Sequence, residues 1–257
     1  MSARLFNTYS KLEDEVIIPE WHGQPFYARG VCDRMDADQV RCYLVQIGFI
    51  ANNFVRWYET AKQAIGDEEG KEVIRTILRS EIPQKGPTHQ DDRFADLLLA
   101  RLSPQAILNT PPTGQTQETV DQLFRLIRYR DVARFDLSVL VTLRVAGEIL
   151  VAEQYAHIIR HWTHTLHLQE EQSRFFVPHM VHDRKSGSRG HTGVFDKVLR
   201  RLICNKGALY AAMEAAYRAA AARASIHAQF VAADSTLMGM PGIQATPSMQ
   251  ITRMKRK

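Results

Sequence analysis

The chain has 257 residues, of which 45% are hydrophobic and 24% are charged. This composition is typical of a soluble globular protein that is long enough to bury a core. The formal net charge is +5, but Arg253, Lys255, Arg256 and Lys257 supply four of these charges, so the body of the chain is nearly neutral and a nucleic-acid-binding face is not expected.

The first residues, MSARLFNTYSKLEDE, contain no apolar core of a signal peptide, and no later run approaches the ~20 apolar residues of a membrane span. The three cysteines, Cys32, Cys42 and Cys204, are odd in number and widely spaced. They indicate neither a disulfide framework nor a zinc motif. Both observations favour a soluble protein of a reducing cytoplasm.

Apolar residues recur at three- and four-residue steps from Asp36 to Ile65, which predicts a long amphipathic helix with Asp36 or Asp38 near its N-terminus. Further helices are predicted, in chain order, over about Glu68–Ser80, Asp91–Leu102, Val120–Arg128, Asp136–Leu166, Ser173–Arg184, His191–Ile203 and Gly207–Ala233. Ser103–Thr119 is predicted as a loop. The pattern indicates a single all-α domain of seven to nine helices over residues 1–233, followed by a disordered basic tail over residues 234–257.

Glu148 is an acid on the apolar side of its predicted helix, because it shares a face with Val151, Tyr155 and Ile159. An ionised carboxylate in such a setting needs a cation, a metal or a proton. A buried acid held by an arginine is the alternative. On the opposite face, Glu153 begins a stripe that includes His157, His161, His164 and His167. We expect this polar stripe to be exposed to solvent.

Glu81 follows Ile74 and Ile77 on the apolar side of the helix that ends there, and His89 comes eight residues later, beside the next apolar run. The alternative to a ligand pair is a helix-terminal charge and a capping histidine. In the segment FFVPHMVHDRKSGSRGHTGVF, His179 and Asp183 are four residues apart and so share one helix face. The alternative here is a solvated basic turn.

After the break at KSGSRG, His191 begins a helix with an apolar inner face, and His182 flanks Asp183. Three carboxylates and three imidazoles therefore lie on or next to apolar helix faces. This oxygen and nitrogen set is of the kind that binds a pair of iron or manganese ions in a helical bundle. Its members are Glu81, His89, Glu148, His179, Asp183 and His191.

This order, Glu…His, Glu, FF..H...D and a final His, resembles that of the haem-oxygenase-like di-metal oxidases and oxygenases, helical relatives of haem oxygenase, the TenA-type thiaminases and the PqqC oxidase. The resemblance covers about Pro25 to Phe230 and implies that the six residues are the metal ligands. The final histidine follows the aspartate by three residues in the family, whereas His191 follows Asp183 by eight. Either the KSGSRG segment loops out and returns His191 to the site, and becomes ordered when metal binds, or His182 serves instead.

The resemblance implies two Fe(II) ions, with Mn as the alternative, and dioxygen as co-substrate. The expected reaction is the oxidation of a small amine, amino acid or fatty-acid-like molecule in specialised metabolism. We expect a small-molecule substrate and neither a nucleic-acid nor a membrane partner, and a homodimer is one possible assembly. Two alternatives remain open: a metal-free TenA- or PqqC-like enzyme, and a helical binding protein with incidental histidines. Glu59, an additional ligand in amine-oxygenating relatives, is expected to be a surface acid here.

Overall fold

A computed structural model describes residues 2–83, 85–130, 132, 134–183 and 190–236. Within this part of the chain the regular structure is helical and includes no strand, which confirms the predicted all-α class. The first half contains nine helices: α1 (Ser2–Leu12), α2 (Ile18–His22), α3 (Pro25–Ala28), α4 (Ala37–Asn52), α5 (Phe54–Ala64), α6 (Glu68–Glu81), α7 (His89–Leu99), α8 (Pro104–Asn109) and α9 (Gly114–Arg128).

The second half is built around a continuous helical rod over residues 135–164. In this rod a π-helical segment, Leu143–Ile149, joins the first two α-helices of this half. The helices of this half are α10 (Phe135–Thr142), α11 (Leu150–His164), α12 (Phe176–Asp183), α13 (His191–Leu202), α14 (Lys206–Ala224) and α15 (Ala228–Thr236). A second π-helical segment, Glu13–Ile17, joins α1 to α2. No helix of the described ranges combines the length and apolarity that a bilayer crossing requires.

The rod is the centre of the fold. Helix α12 packs along α11, while α14 and α13 pack along α10 and the π-helical segment. Every residue from Val139 to Ala152 is buried. This explains why the rod is the most apolar stretch of the sequence: it is covered on all sides and cannot show the polar face of a surface helix.

Several helix boundaries differ from the sequence prediction. The predicted helix Asp36–Ile65 is two helices, because the chain is interrupted at Asn53 between α4 and α5. The predicted loop Ser103–Thr119 contains α8 and the first turns of α9, which are capped by the side chains of Ser103 and Thr113. These capping hydroxyls supply hydrogen bonds that the apolar pattern does not reveal.

The C-terminal helix also departs from the prediction. A 3₁₀ turn at Ser225–His227 divides it, and α15 then continues to Thr236, three residues beyond the predicted helix end at Ala233. The rest of that tail, residues 237–257, lies outside the described residues.

Candidate metal centre

Glu148 lies in the π-helical segment of the central rod and is completely buried. A π-helical segment inserts extra backbone into a helix and is found frequently at functional sites. The hydroxyl of Tyr58 on α5 donates a hydrogen bond to Glu148 Oε1. Gly147 makes this approach possible, because a Cβ atom at that position would collide with the Tyr58 hydroxyl.

The second carboxylate oxygen of this residue, Glu148 Oε2, is buried and has no hydrogen-bond partner of good geometry. Its charged neighbour is His191, whose Nδ1 lies 3.2 Å away. Burial raises the pKa of Glu148 to about 7, against the opposing effect of His191. Such an oxygen is costly to bury without a cation.

His191 is held between two acids and a hydroxyl. Its Nδ1 lies 3.2 Å from Glu148 Oε2 and 3.3 Å from Asp183 Oδ1, and its Nε2 lies 2.7 Å from Ser80 Oγ. The Ser80 hydroxyl donates its own proton to the Ile77 carbonyl at 2.7 Å, so Ser80 Oγ accepts from His191 Nε2–H. Nδ1 is therefore the atom that faces the two carboxylates.

The charge of His191 follows from the same contacts. Burial lowers the pKa of this imidazole, but Glu148 and Asp183 outweigh burial and raise the pKa to about 11. Without metal, a protonated imidazole thus offsets part of the negative charge of the two acids. After loss of its proton, Nδ1 has a lone pair directed at the two carboxylates. This neutral form of the imidazole is the one that ligates a metal.

Glu81, His89 and His179 form a second cluster beside the first. Glu81 Oε2 lies 2.8 Å from His89 Nδ1, which lies 3.1 Å from His179 Nε2. Two ligand atoms bound at right angles, each ~2.1 Å from a metal, are about 3 Å apart. The atoms of this cluster already have that spacing.

Hydrogen bonding also sets the orientation of His179. Its Nδ1 donates to the Phe175 carbonyl at 2.7 Å, which leaves Nε2 without a proton and directed at the cluster. This outer contact is the usual device for orienting a metal-binding imidazole. Burial lowers the pKa of His179, whereas the hydrogen bond with Glu81 raises that of His89.

All six residues predicted from the sequence meet in one region, although they come from five separate segments. Two groups, Glu81–His89–His179 and His182–Asp183–His191, each place donor atoms within 4.8 Å of one another. Only His191 of the two competing histidines contacts Glu148. His182 packs its ring edge against His191, lies 3.3 Å from Asp183, and is half exposed. The intervening residues 184–189, and with them most of the predicted KSGSRG excursion, lie outside the described residues.

Asp96, which was not singled out in the sequence, fixes α12 against α7. Its buried carboxylate accepts hydrogen bonds from the backbone N–H groups of Arg174, Phe175 and Phe176 and from the Ser173 hydroxyl. These groups stand at the N-terminus of α12, where free amides and the helix dipole attract an anion. Because His89 lies on α7 and His179 lies on α12, Asp96 sets the distance between two of the three helices that supply the cluster.

A cavity of about 280 Å³ opens onto the site. Its wall contains five of the six predicted residues, namely all except His191, which contacts Glu148 and Asp183 but is not itself part of the wall. The rest of the wall is mainly apolar and includes Phe54, Trp57, Val151 and Phe175. The arrangement can hold a small molecule next to a group of oxygen and nitrogen donors.

Neither a family model nor a curated protein matches this sequence. The function must therefore be inferred from the geometry of the site.

The prediction that the stripe from Glu153 to His167 faces solvent is wrong for His157 and His161, whereas His164 and His167 are exposed. His157 is 9% exposed and His161 is 5% exposed. The N-terminal segment covers both of them: Tyr27 packs on His157 at 4.2 Å between ring centroids, and Cys32 Sγ lies 3.4 Å from His161 Nε2. A polar helix face predicts contact with water only when no other polar segment packs on it.

These residues also form a separate polar cluster. His22 bonds to Glu153 at 2.9 Å, and Cys32, Asp33 and His157 have donor atoms within 4.8 Å of one another. None of these residues lines the cavity described above. Glu59 lies outside its wall too and pairs with Lys62 at 2.5 Å, as expected for a helix-surface acid.

Proposed function

We propose that this protein is a member of the haem-oxygenase-like di-metal oxidases, and that it oxidises a small molecule with dioxygen at a di-iron centre. The observation that carries the proposal is the meeting of two donor clusters at one mainly apolar cavity, with Glu148 Oε2 buried next to His191 and without a hydrogen bond. Glu81, His89 and His179 would hold one ion. Asp183 and His191 would hold the other, and Glu148 would supply a further carboxylate ligand.

The donor set fits iron. It consists of carboxylate oxygens and imidazole nitrogens without a thiolate, a combination that suits Fe(II) and Mn(II) rather than softer metals. Three buried or partly buried carboxylates near three imidazoles also require positive charge. In the metal-free chain that charge comes in part from the protonated His191.

When bound, a pair of Fe(II) ions would supply the chemistry that reduces dioxygen to an oxidant. The chain's own residues exclude water and position the ligands. Phe54, Trp57 and Phe175 keep water out of the cavity, which protects a reactive oxidant from side reactions. Tyr58 fixes Glu148 Oε1, and Ser80 fixes the ring of His191.

A thiaminase-like reaction, the metal-free alternative, has less support. It requires a reactive thiolate facing the substrate, and none of the three cysteines belongs to the cavity wall. Cys32 lies next to His161, but burial raises the pKa of its thiol to about 12. A thiol with that pKa stays protonated and is a poor nucleophile at neutral pH.

Metal analysis of matched variants tests the proposal. Protein purified with added Fe(II) should lose most of its iron in Glu148→Gln, because the central carboxylate is removed while the volume is kept. The control is Glu214→Gln, whose side chain is 62% exposed and pairs with Arg218 on the surface of α14. Equal iron content in the two variants would refute the assignment.

A further inference from the structure

Arg223, in the last turn of α14, reaches the cavity wall although it is 4% exposed. Its Nη1 donates to the Ala146 carbonyl at 2.6 Å and its Nη2 donates to Gln154 Oε1 at 2.7 Å. Its Nε is buried and has no partner. No carboxylate forms an ion pair with this guanidinium in the part of the chain that the structure describes.

Arg144, a buried arginine of the central rod, is paired quite differently. Arg144 bonds to Glu13 through two nitrogens, at 2.8 and 3.1 Å, and to Asp196 at 2.9 Å. This pairing is what a buried guanidinium normally requires, because it stays charged and its desolvation is costly. Arg223 has neutral partners only, so its charge is left uncompensated within the described residues.

The guanidinium is also held firmly in place. Gln154, which accepts from Nη2, donates in turn to the Tyr43 hydroxyl at 2.8 Å. The Ala146 carbonyl belongs to the π-helical segment, two residues before Glu148. A positively charged donor is thus fixed in the wall of the cavity, and its buried Nε–H has no partner. Such preorganised donors bind carboxylates well.

We propose that Arg223 binds the carboxylate of the substrate, and that the cavity accepts a small monocarboxylate with an apolar body. The volume of about 280 Å³ is near the lower end of ligand pockets, which begin at ~300 Å³. The apolar body would contact Ile50, Phe54, Trp57 and Val151. This substrate class rests on the proposed oxidase function, but the binding of the carboxylate does not depend on metal.

Calorimetric titration tests this directly with a series of straight-chain carboxylates from butanoate to decanoate and phenylacetate, each compared with its amide. The titrations are made on the metal-free protein and on protein loaded with Mn(II), which separates carboxylate binding from the oxidase proposal. We expect at least one carboxylate to bind at least about tenfold more tightly than its amide in both forms, as befits a charged hydrogen bond.

Arg223→Gln should remove that preference and leave the affinity for the amide within about twofold of the wild-type value. Arg125→Gln is the control: its side chain is 62% exposed, and it should change neither affinity. Arg223→Lys keeps the charge and should retain part of the preference if Arg223→Gln does not fold. Three outcomes would overturn the proposal. The first is the absence of any carboxylate preference. The second is loss of the preference in Arg93→Gln, the other arginine that lines the cavity, but not in Arg223→Gln. The third is carboxylate binding that needs Mn(II) and is insensitive to Arg223.

Discussion

Gly147→Ala is expected to disturb the site through Tyr58. The new Cβ would collide with the Tyr58 hydroxyl and lie 3.2 Å from two carbons of its ring. Tyr58 cannot turn away, because it is completely buried and stacked on Phe54 at 4.2 Å between ring centroids. Ring and helix must therefore separate, and the hydrogen bond to Glu148 must lengthen or break.

The size of the effect follows from three contributions. Overpacking costs about 1–3 kcal/mol, and a buried carboxylate that loses its donor costs about 1–3 kcal/mol. Replacing glycine by alanine in a helix stabilises the folded state by ~1 kcal/mol. The net loss is about 3 kcal/mol, which lowers the melting temperature of a protein of this size by roughly 6–12 °C.

A double-mutant cycle gives the assay. In the Tyr58→Phe background the hydroxyl and its hydrogen bond are already absent, so Gly147→Ala should change the free energy of unfolding by no more than about 1 kcal/mol. Gly207→Ala is the control, since a Cβ there makes only ordinary contacts, the nearest at 3.4 Å. The same loss from Gly147→Ala in both backgrounds would refute the placement of Tyr58 between Gly147 and Glu148.

Three further outcomes are expected. Ser80→Ala should weaken Fe(II) binding about tenfold, because it releases the His191 ring. Thr76→Ala should not, since the Thr76 hydroxyl bonds to the Glu72 carbonyl of its own helix. Equal Fe(II) affinities of the two variants in a metal titration would contradict this. Asp96→Ala should lower the free energy of unfolding by roughly 2–3 kcal/mol through the freed amides of α12, and Asp92→Ala, one turn earlier, should have little effect in urea unfolding. His227 is completely buried, and its pKa is lowered to about 3 by burial and by the nearby Arg223. Below pH ~6.5 the unfolded chain therefore binds a proton that the folded chain does not, so the free energy of unfolding decreases as the pH is lowered. Between pH 7 and 5 the metal-free wild type should therefore lose about 2 kcal/mol more than His227→Gln in urea unfolding, and parallel losses would exclude His227 as the source.

The sequence predicted six residues that the structure brings together in one region, because each lies on or next to an apolar helix face. Hydrophobic periodicity also predicted the all-α class, and it predicted that Glu148 is buried. What it could not reveal were contacts between distant segments. Tyr58, Ser80 and Asp96 are ordinary residues in their own helices, and only packing brings them to Glu148, His191 and the N-terminus of α12.

Two physical effects account for the failures. A helical wheel assumes a constant turn per residue, so it does not foresee the π-helical segment that carries Glu148. The wheel also shows which face of a helix is polar, but it does not show whether another segment packs on that face. His157 and His161 lie on a polar face and were expected in water, but α2 and the residues after α3 pack on that face with polar side chains of their own, such as His22 and Cys32.

The central claim is tested most directly by the amount of iron that the wild-type chain binds. The protein is equilibrated anaerobically with excess Fe(II), separated from free metal and analysed for iron. Two tightly bound iron ions per chain are predicted, falling to background when Glu81→Gln and Glu148→Gln are combined in a variant that retains its helical circular dichroism spectrum. A wild-type chain with no more iron than this double variant would contradict the account.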